Sequence, residues 1–385
     1  MKNNGIPMLD IARQTALIRP EVDAAIARVL DHGRFIMGPE VGVFEQQIAE
    51  YCGTRFAIAC ASGSDAILLP LAAFGIGPGD KVVTTPFSFF ATAGSIARLG
   101  AEPVFLDIDP ETYNLDAAQL AEYLGGQSAS GVKSIKAILP VHLFGQCAQM
   151  DEIDAVANRF GIPVVEDAAQ AIGAEFDGAR AGSLARCAAF SFFPSKNLGG
   201  LGDGGLITTD DEELTERLRM LRNHGASSTY VHPFVGMNSR LDTLQAAVLS
   251  VKFRYLDAWT ARRRANAATY RRHLREMLNG TIVAPAEHPR RLHVYNQFTI
   301  RIPDRDRVRG QLASCGIATA VYYPIPLHLQ DCFQHLGYRE GDLPHSERAA
   351  HEVLSLPIEP GLTDDDIRIV VTKLAEALRE SSALH

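Results

Sequence analysis

The chain has 385 residues, 46% of them hydrophobic, with 37 Lys and Arg against 45 Asp and Glu for a formal charge of −8. That length supports a large core and predicts two domains, and the acidic balance excludes the electrostatic footprint of a protein that binds nucleic acid or an anionic membrane. The most apolar stretch, 56–74, is broken by Gly63, Asp65 and Pro70, the first ten residues lack a signal-peptide apolar core, and the six cysteines form no C-x-x-C pair. A soluble, cytoplasmic protein with reduced thiols is therefore expected.

From residue 56 onward short β-branched runs alternate with helical patterns. The strand candidates are FAIACA (56–61), KVVTTP (81–86), EPVFLDI (102–108), IKAILPVHL (135–143), IPVVEDA (162–168), AAFSFFP (188–194) and GGLITTD (204–210). Apolar-periodic stretches at 65–74, 91–99 and 150–160 lie between several of them. Alternation of this kind predicts βαβ units, a mostly parallel sheet and helices on both of its faces. Beyond residue 210 the pattern becomes helical, at 212–223, 241–251 and 256–278, followed by short strands around 295–302 and a last helix at 364–380. The predicted division is a large domain over 1–255 and a smaller α+β domain over 256–385. The run Arg262, Arg263, Arg264 with Arg271 and Arg272 reads as the solvated face of the bridging helix rather than a nucleic-acid patch.

Polar residues interrupt the predicted sheet at its strand ends: Ser62, Gly63 and Ser64 after the first strand, His142 after the fourth, Asp167 and Gln170 after the fifth. Ligands of open α/β sheets bind outside the carboxyl ends of the strands, so these residues are expected to converge on one crevice. In A-S-G-S-D-A (61–66) small residues let backbone approach an anion at a helix N-terminus, although Ser64 acting as an ordinary helix cap explains the motif as well. In V-V-E-D-A-A-Q (164–170) a carboxylate at the end of a buried strand needs a cationic partner. A pyridinium nitrogen is one and an arginine another, and capping of the next helix is also open. In S-F-F-P-S-K-N-L-G-G-L-G-D-G-G (191–205), Lys196 sits among aromatics, Pro and Gly, where a lysine is more easily deprotonated to the neutral amine that can form an imine, although an ordinary surface-loop lysine is also open. Ser191 could offer its hydroxyl to a phosphate. Gly200, Gly202 and Gly205 spell G-x-G-x-x-G, but a loop precedes them and strand-like residues follow, so the dinucleotide reading is rejected.

Seven segments taken in order carry a family resemblance. They are GRFIMGPEV (33–41), PFSFFATA (86–93), PVFLDIDPETYNLD (103–116), EDAAQAIGA (166–174), SFFPSKNLG (191–199), GMNSRLDTLQAA (236–247) and YYPIPLH (322–328), with LSLP (354–357) closing the series. The chain resembles the DegT/DnrJ/EryC1/StrS aminotransferases, enzymes of the aspartate-aminotransferase fold type I that use pyridoxal 5′-phosphate (PLP) on nucleotide-linked keto-sugars. The resemblance implies a large domain with a mostly parallel seven-stranded sheet flanked by helices, plus a smaller C-terminal α+β domain.

By the same resemblance Lys196 holds the cofactor as an imine and shuttles protons, Asp167 pairs with the pyridine nitrogen, and Gln170 contacts the ring hydroxyl. Ser64, the Asp65 backbone and Ser191 hold the phosphate, and Phe89 stacks on the ring. Asn238 matches a residue that reaches the phosphate from a neighbouring subunit, which implies a homodimer with shared sites. Arg240, Tyr322, Tyr323 and His328 match positions around the sugar-nucleotide pocket, and Phe87 is expected near it. No metal is expected. The implied reaction moves an amino group from glutamate to a UDP- or dTDP-linked keto-sugar, a 3-keto sugar more than a 4-keto one. Relatives acting on keto-uronates carry histidine where Tyr322 stands, and the dehydratases of the family replace the lysine with histidine, whereas Lys196 is intact. A cyclitol aminotransferase, a dehydratase and a non-catalytic regulatory member are the alternatives.

Overall fold

The computed structural model describes residues 5–382 apart from 279 and 281. Its seven principal strands are β1 (Phe56–Cys60), β2 (Lys81–Thr84), β3 (Glu102–Phe105), β4 (Ile135–Ile138), β5 (Val165–Asp167), β6 (Cys187–Ser191) and β7 (Gly205–Thr209). They fall inside the seven strand candidates of the sequence. Hydrogen-bonded order is β1-β7-β6-β5 in one block and β3-β2-β4 in the other. Parallel bridges Ile138↔Val164 and Val141↔Asp167 join the blocks, with His142 N donating to Asp167 O at 3.0 Å and Asp167 N to Pro140 O at 2.9 Å. Only β7 runs antiparallel to its neighbours. The chain thus has the α/β fold type I architecture. The near-continuous burial of β1, β6 and β7 is what a sheet covered on both faces requires.

Helices cover the two faces. Gly63–Ala73 packs against β6 and β7, and Pro39–Cys52 against β1. The latter helix starts on a Pro in its first turn and ends at Gly53, whose φ of 77° lets the chain reverse without a Cβ penalty. Sequence periodicity left this helix and its neighbour Arg19–His32 unassigned, because their apolar stripes are short and broken by exposed Leu30 and Val43.

A second hydrophobic cluster lies around β8 (Phe298–Arg301) and β9 (Val353–Leu356), an antiparallel pair, and the helices Leu256–Leu278 and Asp364–Ser382. Leu256, at the start of the long helix, still belongs to the first cluster, while Tyr270 and Leu278 belong to the second. The beginning of the chain crosses over: Ile6 N donates to Gly316 O at 2.8 Å and Ile6 packs on the second cluster. The arginine run is not uniformly solvated. Residues 263, 266, 267, 270, 273, 274 and 278 form the buried stripe, so Arg263 is enclosed and donates to Tyr295 O and Ile358 O, while Arg262 and Arg264 face outward.

Candidate active site

The carboxyl ends of β1, β5 and β6 converge, as the sequence pattern requires. After β1, Ser62 caps the Gly63–Ala73 helix by accepting the Asp65 N–H at 3.1 Å. This corrects the capping alternative raised for Ser64. Ser62 has the extended backbone a cap needs, and Ser64 is already inside the first turn, where a side chain cannot turn back to cap. The Ser64 hydroxyl is left with no partner among the described residues, as are the Gly63 and Ser64 N–H groups, which point out of the helix start. The Asp65 carboxylate is held in place by Ser239 Oγ at 2.8 Å. Ser191, at the end of β6, stands directly over this turn. A Cβ added to Gly63 would lie 2.5 Å from Ser191 Cβ and 2.8 Å from its Oγ. Two hydroxyls and two free backbone N–H groups therefore surround one spot, the arrangement that binds a phosphate.

On β5 neighbouring carboxylates face opposite sides of the sheet. Glu166 is fully buried and accepts from Gly182 N, Leu184 N and Ala185 N at 2.8 to 3.0 Å and from His142 Nε2 at 3.0 Å. His142 Nδ1 accepts the Ala148 N–H, so Nε2 carries the ring proton and donates to Glu166. Asp167 is 3% exposed and far less satisfied. Its Oδ2 accepts Thr92 Oγ1 at 2.8 Å and its Oδ1 only a long 3.3 Å contact from Ala169 N. Thr92 gives its one proton to Asp167, so Ser88, 2.8 Å away, donates to Thr92. Burial pushes the Asp167 carboxyl above its ordinary range, against the pull of Thr92, Ala169, Lys196 and His142. Thr92 and Ser88 were missed in the sequence, though both lie in PFSFFATA at a four-residue spacing.

Lys196 follows β6 in a tight loop. A Cβ on Gly199 would stand 2.3 Å from Pro194 O, so the loop closes on itself around the lysine. The loop is gripped from outside: Asn197 Nδ2 donates to Val294 O at 3.1 Å, Leu201 N to Gln245 Oε1 at 2.8 Å, and the buried Lys252 Nζ to Gly199 O at 2.5 Å. Lys196 Nζ has no hydrogen-bond partner among the described residues. Burial lowers its pKa to about 8, while the Asp167 charge acts to raise it, which places the two groups within electrostatic reach. The glycines at 200 and 202 lie in irregular loop and Gly205 opens β7, a context that does not match a dinucleotide fold.

The remaining candidates divide into two groups. Gln170 Oε1 accepts the Phe144 N–H at 2.6 Å, which fixes the amide, so Nε2 donates to Tyr323 Oη at 3.1 Å. Tyr323 therefore keeps its own proton for another acceptor. Phe89 is 56% exposed with its ring 6.1 Å from that of Tyr323, and the Tyr322 ring lies 5.8 Å from the Tyr323 ring. Phe87, expected in the pocket, is wholly buried beneath Tyr323 and Tyr113. His328 is buried, with its Nε2 3.1 Å from Glu347 Oε1 and its Nδ1 without a partner among the described residues. Asn238 is exposed on an extended segment bridged to Asn223, and Arg240 donates to Asn223 Oδ1 at 3.0 Å. Neither residue has a hydrogen bond to Tyr322, Tyr323 or Lys196 among the described residues. Arg222 is clamped between Glu45 and Ala59 O, at 2.5 and 2.7 Å, and so is unavailable to a substrate. Among the described residues no cluster of His, Cys, Asp or Glu could hold a metal ion, and no helix is long and apolar enough to cross a membrane.

An unpartnered half-buried amine, an under-satisfied carboxylate and a phosphate cradle within one crevice fit PLP in its three functional parts: aldehyde, ring nitrogen and phosphate. The DegT/DnrJ/EryC1/StrS aminotransferase family model matches residues 17–375, and the chain belongs to that family. It is an aminotransferase whose cofactor is PLP. Among its relatives, a "Pleiotropic regulatory protein" of Geobacillus stearothermophilus is 51% identical, covering 97% of this chain and 99% of the relative. The "UDP-2-acetamido-2-deoxy-3-oxo-D-glucuronate aminotransferase" of Pseudomonas aeruginosa is 44% identical over 96% and 99% of the two chains. The crystal structure of S. venezuelae DesV in complex with a ketimine intermediate superposes with a TM-score of 0.91 at 42% identity, covering 98% of each chain.

Proposed function

We propose that the enzyme transfers an amino group from glutamate to the 3-keto position of a UDP- or dTDP-linked hexose. The observation that carries this reading is the convergence of Lys196, Asp167 and the Ser64–Ser191 cradle, with Tyr322 and Tyr323 beside them. The bound cofactor supplies an electron sink that lets a proton leave the carbon bearing nitrogen. In this reading the Lys196 amine would hold the cofactor covalently, and its neutral Nζ would serve as the base that takes up and returns a proton at the substrate carbon. Asp167 keeps the ring nitrogen protonated, and Thr92 with Ser88 behind it holds that carboxylate in orientation. Ser64, Ser191 and the Gly63–Ala73 helix start bind the phosphate, Phe89 covers the ring, and Gln170 with Tyr323 forms the polar wall at the ring hydroxyl.

One feature supports the choice of substrate. Tyr322 places an aromatic hydroxyl where uronate-specific relatives carry a histidine, which favours an uncharged hexose. Asn238, which is exposed, and Arg240 are proposed to serve the cleft of a second copy, making a homodimer with shared sites. The six cysteines are all unpaired, in keeping with a cytoplasmic enzyme. The division we propose is a large domain over 1–255, the N-terminal segment included, and a small domain over 256–385.

The test is an assay in reverse, with 2-oxoglutarate as acceptor and a panel of 3- and 4-amino-sugar nucleotides as donors, alongside borohydride reduction and peptide mapping. The reading predicts the reduced adduct on Lys196 and highest rates with a 3-amino-hexose nucleotide. Aspartate and 2-oxoglutarate turning over faster than every amino-sugar would overturn the substrate. An adduct on another lysine would overturn the site. The regulatory role suggested by the name of one relative would need neither an unpartnered Lys196 amine nor its Asp167 neighbour, and measurable turnover excludes it as the sole function.

A further inference from the structure

The glycine run after Lys196 builds no dinucleotide site, and its surroundings show what it does instead. None of Gly199, Gly200 and Gly202 adopts a positive φ, so backbone conformation does not call for glycine at these positions. Close approach does. Gly199 passes against Pro194 O, and a Cβ on Gly200 or Gly202 would lie 2.8 Å from Gln245 Oε1 or 2.9 Å from Gln245 Nε2. A side chain at either of the last two positions would push the Gln245 amide off the loop. The bare backbone is thus pressed onto one helix, Thr243–Phe253, which is itself packed against the helices Arg19–His32 and Pro39–Cys52.

Two side chains of that helix hold the loop. Gln245 Oε1 accepts the Leu201 N–H at 2.8 Å, and Lys252 Nζ donates to Gly199 O at 2.5 Å. Seven residues apart, they project from the same helical face. Gly199 is buried, and its carbonyl has no other donor among the described residues. Lys252 is buried too, in a largely apolar helix, and forms no ion pair among the described residues. Burying an ammonium without a counter-charge is costly, and Met would fill the same space without that cost. What lysine adds is the bond to Gly199 O. The loop it grips is closed on itself: Lys196 N donates to Phe193 O at 2.9 Å and Gly200 N to Phe192 O at 2.8 Å. Holding Gly199 and Leu201 therefore holds the base from which Lys196 projects. We propose that Lys252, assisted by Gln245, is a positioning residue that locks the glycine loop onto the helix and so fixes where the Lys196 amine stands relative to Asp167. This rests on the reading of Lys196 as the reacting amine. Lys252 acts on the reaction only through the loop, and a misplacement of about 1 Å at a reacting group is enough to slow a reaction by about a hundredfold.

The experiment compares Lys252→Met and Lys252→Gln with a control on the same helix, Val248→Ala, whose side chain packs with Ile18 and Val22 and not with the loop. Three properties are read: the thermal midpoint, the rate at which PLP attaches to the cofactor-free chain, and kcat and KM for the amino donor in the loaded enzyme. Lys252→Met is expected to slow both attachment and kcat by between about tenfold and about a hundredfold, with KM near the parent's. Lys252→Gln, whose amide can still donate to the Gly199 carbonyl, is expected to recover most of that loss. Val248→Ala is expected to lower the midpoint and leave both rates near the parent's. Parental attachment and kcat in Lys252→Met overturn the proposal, whatever the midpoint does. An equal loss of both rates in Val248→Ala at a matched midpoint overturns it as well. Should Lys252→Met fail to fold, Gln245→Met, which frees only the Leu201 N–H at the exposed edge of the loop, is read in the same way. Borohydride mapping separates the two possible failures. An adduct on another lysine ends the role of Lys196 itself, whereas an adduct on Lys196 with unchanged rates in Lys252→Met ends only the positioning.

Discussion

Glu166 and Asp167 are neighbours in β5, equally buried, and chemically almost alike, yet the sheet uses them for different ends. The alternation of a strand sends Glu166 to one face and Asp167 to the other. On its face Glu166 meets three backbone N–H groups from the 182–185 turn and the His142 ring, a set that satisfies both oxygens. On the opposite face Asp167 has a single short bond, from Thr92, and a long one from Ala169. A carboxylate saturated by neutral donors is a structural pin. One left short of donors at the mouth of a crevice is a charge waiting for a cation. The pair shows that burial alone does not mark a functional carboxylate; the shortage of internal partners does.

That contrast can be broken by isosteric substitutions. Asp167→Asn removes the charge while keeping shape and the Thr92 contact, and turnover is expected to fall by about 10³-fold or more, with the fold intact. Steady-state rates and circular dichroism check it; near-native turnover would remove Asp167 from the proposed chemistry. Glu166→Gln replaces an oxygen by an NH₂ that must oppose a backbone N–H. A loss of about 3 kcal/mol of stability is expected, with kcat within a few-fold of the parent once folded. Denaturant midpoints and rates measured together would separate the two residues. A Glu166→Gln enzyme that is stable but inactive would reverse their assignments.

Much of this arrangement was legible in the sequence because the fold writes it locally. All seven strands stood out as short apolar runs, most of them holding β-branched residues, and Ser191, Asp167 and Lys196 lie at or just past strand ends, where period and position suffice. The parts that were not legible depend on partners far away in the chain. Thr92 acquires its meaning only when its hydroxyl meets a carboxylate 75 residues away. Lys252 reads as one polar residue in an apolar helix until its ammonium is seen closing the lysine loop. His328 lies in a motif shared with relatives, but only packing shows that Glu347 encloses it. Arg263 was masked by its own neighbours, since a run of three arginines suggests a solvated face and hides the one that falls on the buried stripe.

A smaller effect tests the support of Asp167 and not its charge. Thr92→Val keeps the β-branched shape and deletes the hydroxyl, leaving Oδ2 with no short donor and Ser88 without its acceptor. Turnover is expected to drop by about tenfold, the cost of about 1.4 kcal/mol in one hydrogen bond to a charged group. Because a purely structural role would also lower yield, the discriminating readout is the pH dependence of cofactor absorbance, which should shift in Thr92→Val and be restored by Thr92→Ser. An unshifted profile in Thr92→Val would leave Thr92 as packing alone.

The finest comparison uses Lys196 as a gauge of the charge beside it. Burial lowers the lysine to about 8, and Asp167 opposes that effect. Deleting the Asp167 charge should therefore move the lysine further down, whereas Glu166, facing the other side of the sheet, should leave it unmoved. In cofactor-free enzyme the rate of PLP attachment follows the neutral amine, so it should rise with pH and level off above about 8. Asp167→Asn should shift the midpoint of that curve to lower pH and Glu166→Gln should not. The sign carries over to stability. A lysine with a folded pKa of about 8, below its unfolded value of about 10.4, binds fewer protons when folded. Stability of the cofactor-free chain should then climb as pH rises between those values and be lost as pH falls back through 8. Lys252, also lowered to about 8 by burial, contributes a slope of the same sign, so Lys196→Met should remove only part of it and Lys252→Met the rest. A slope that survives both substitutions would assign the pH dependence elsewhere, and a midpoint that moves equally in Asp167→Asn and Glu166→Gln would show that Lys196 senses the whole strand end and not one carboxylate.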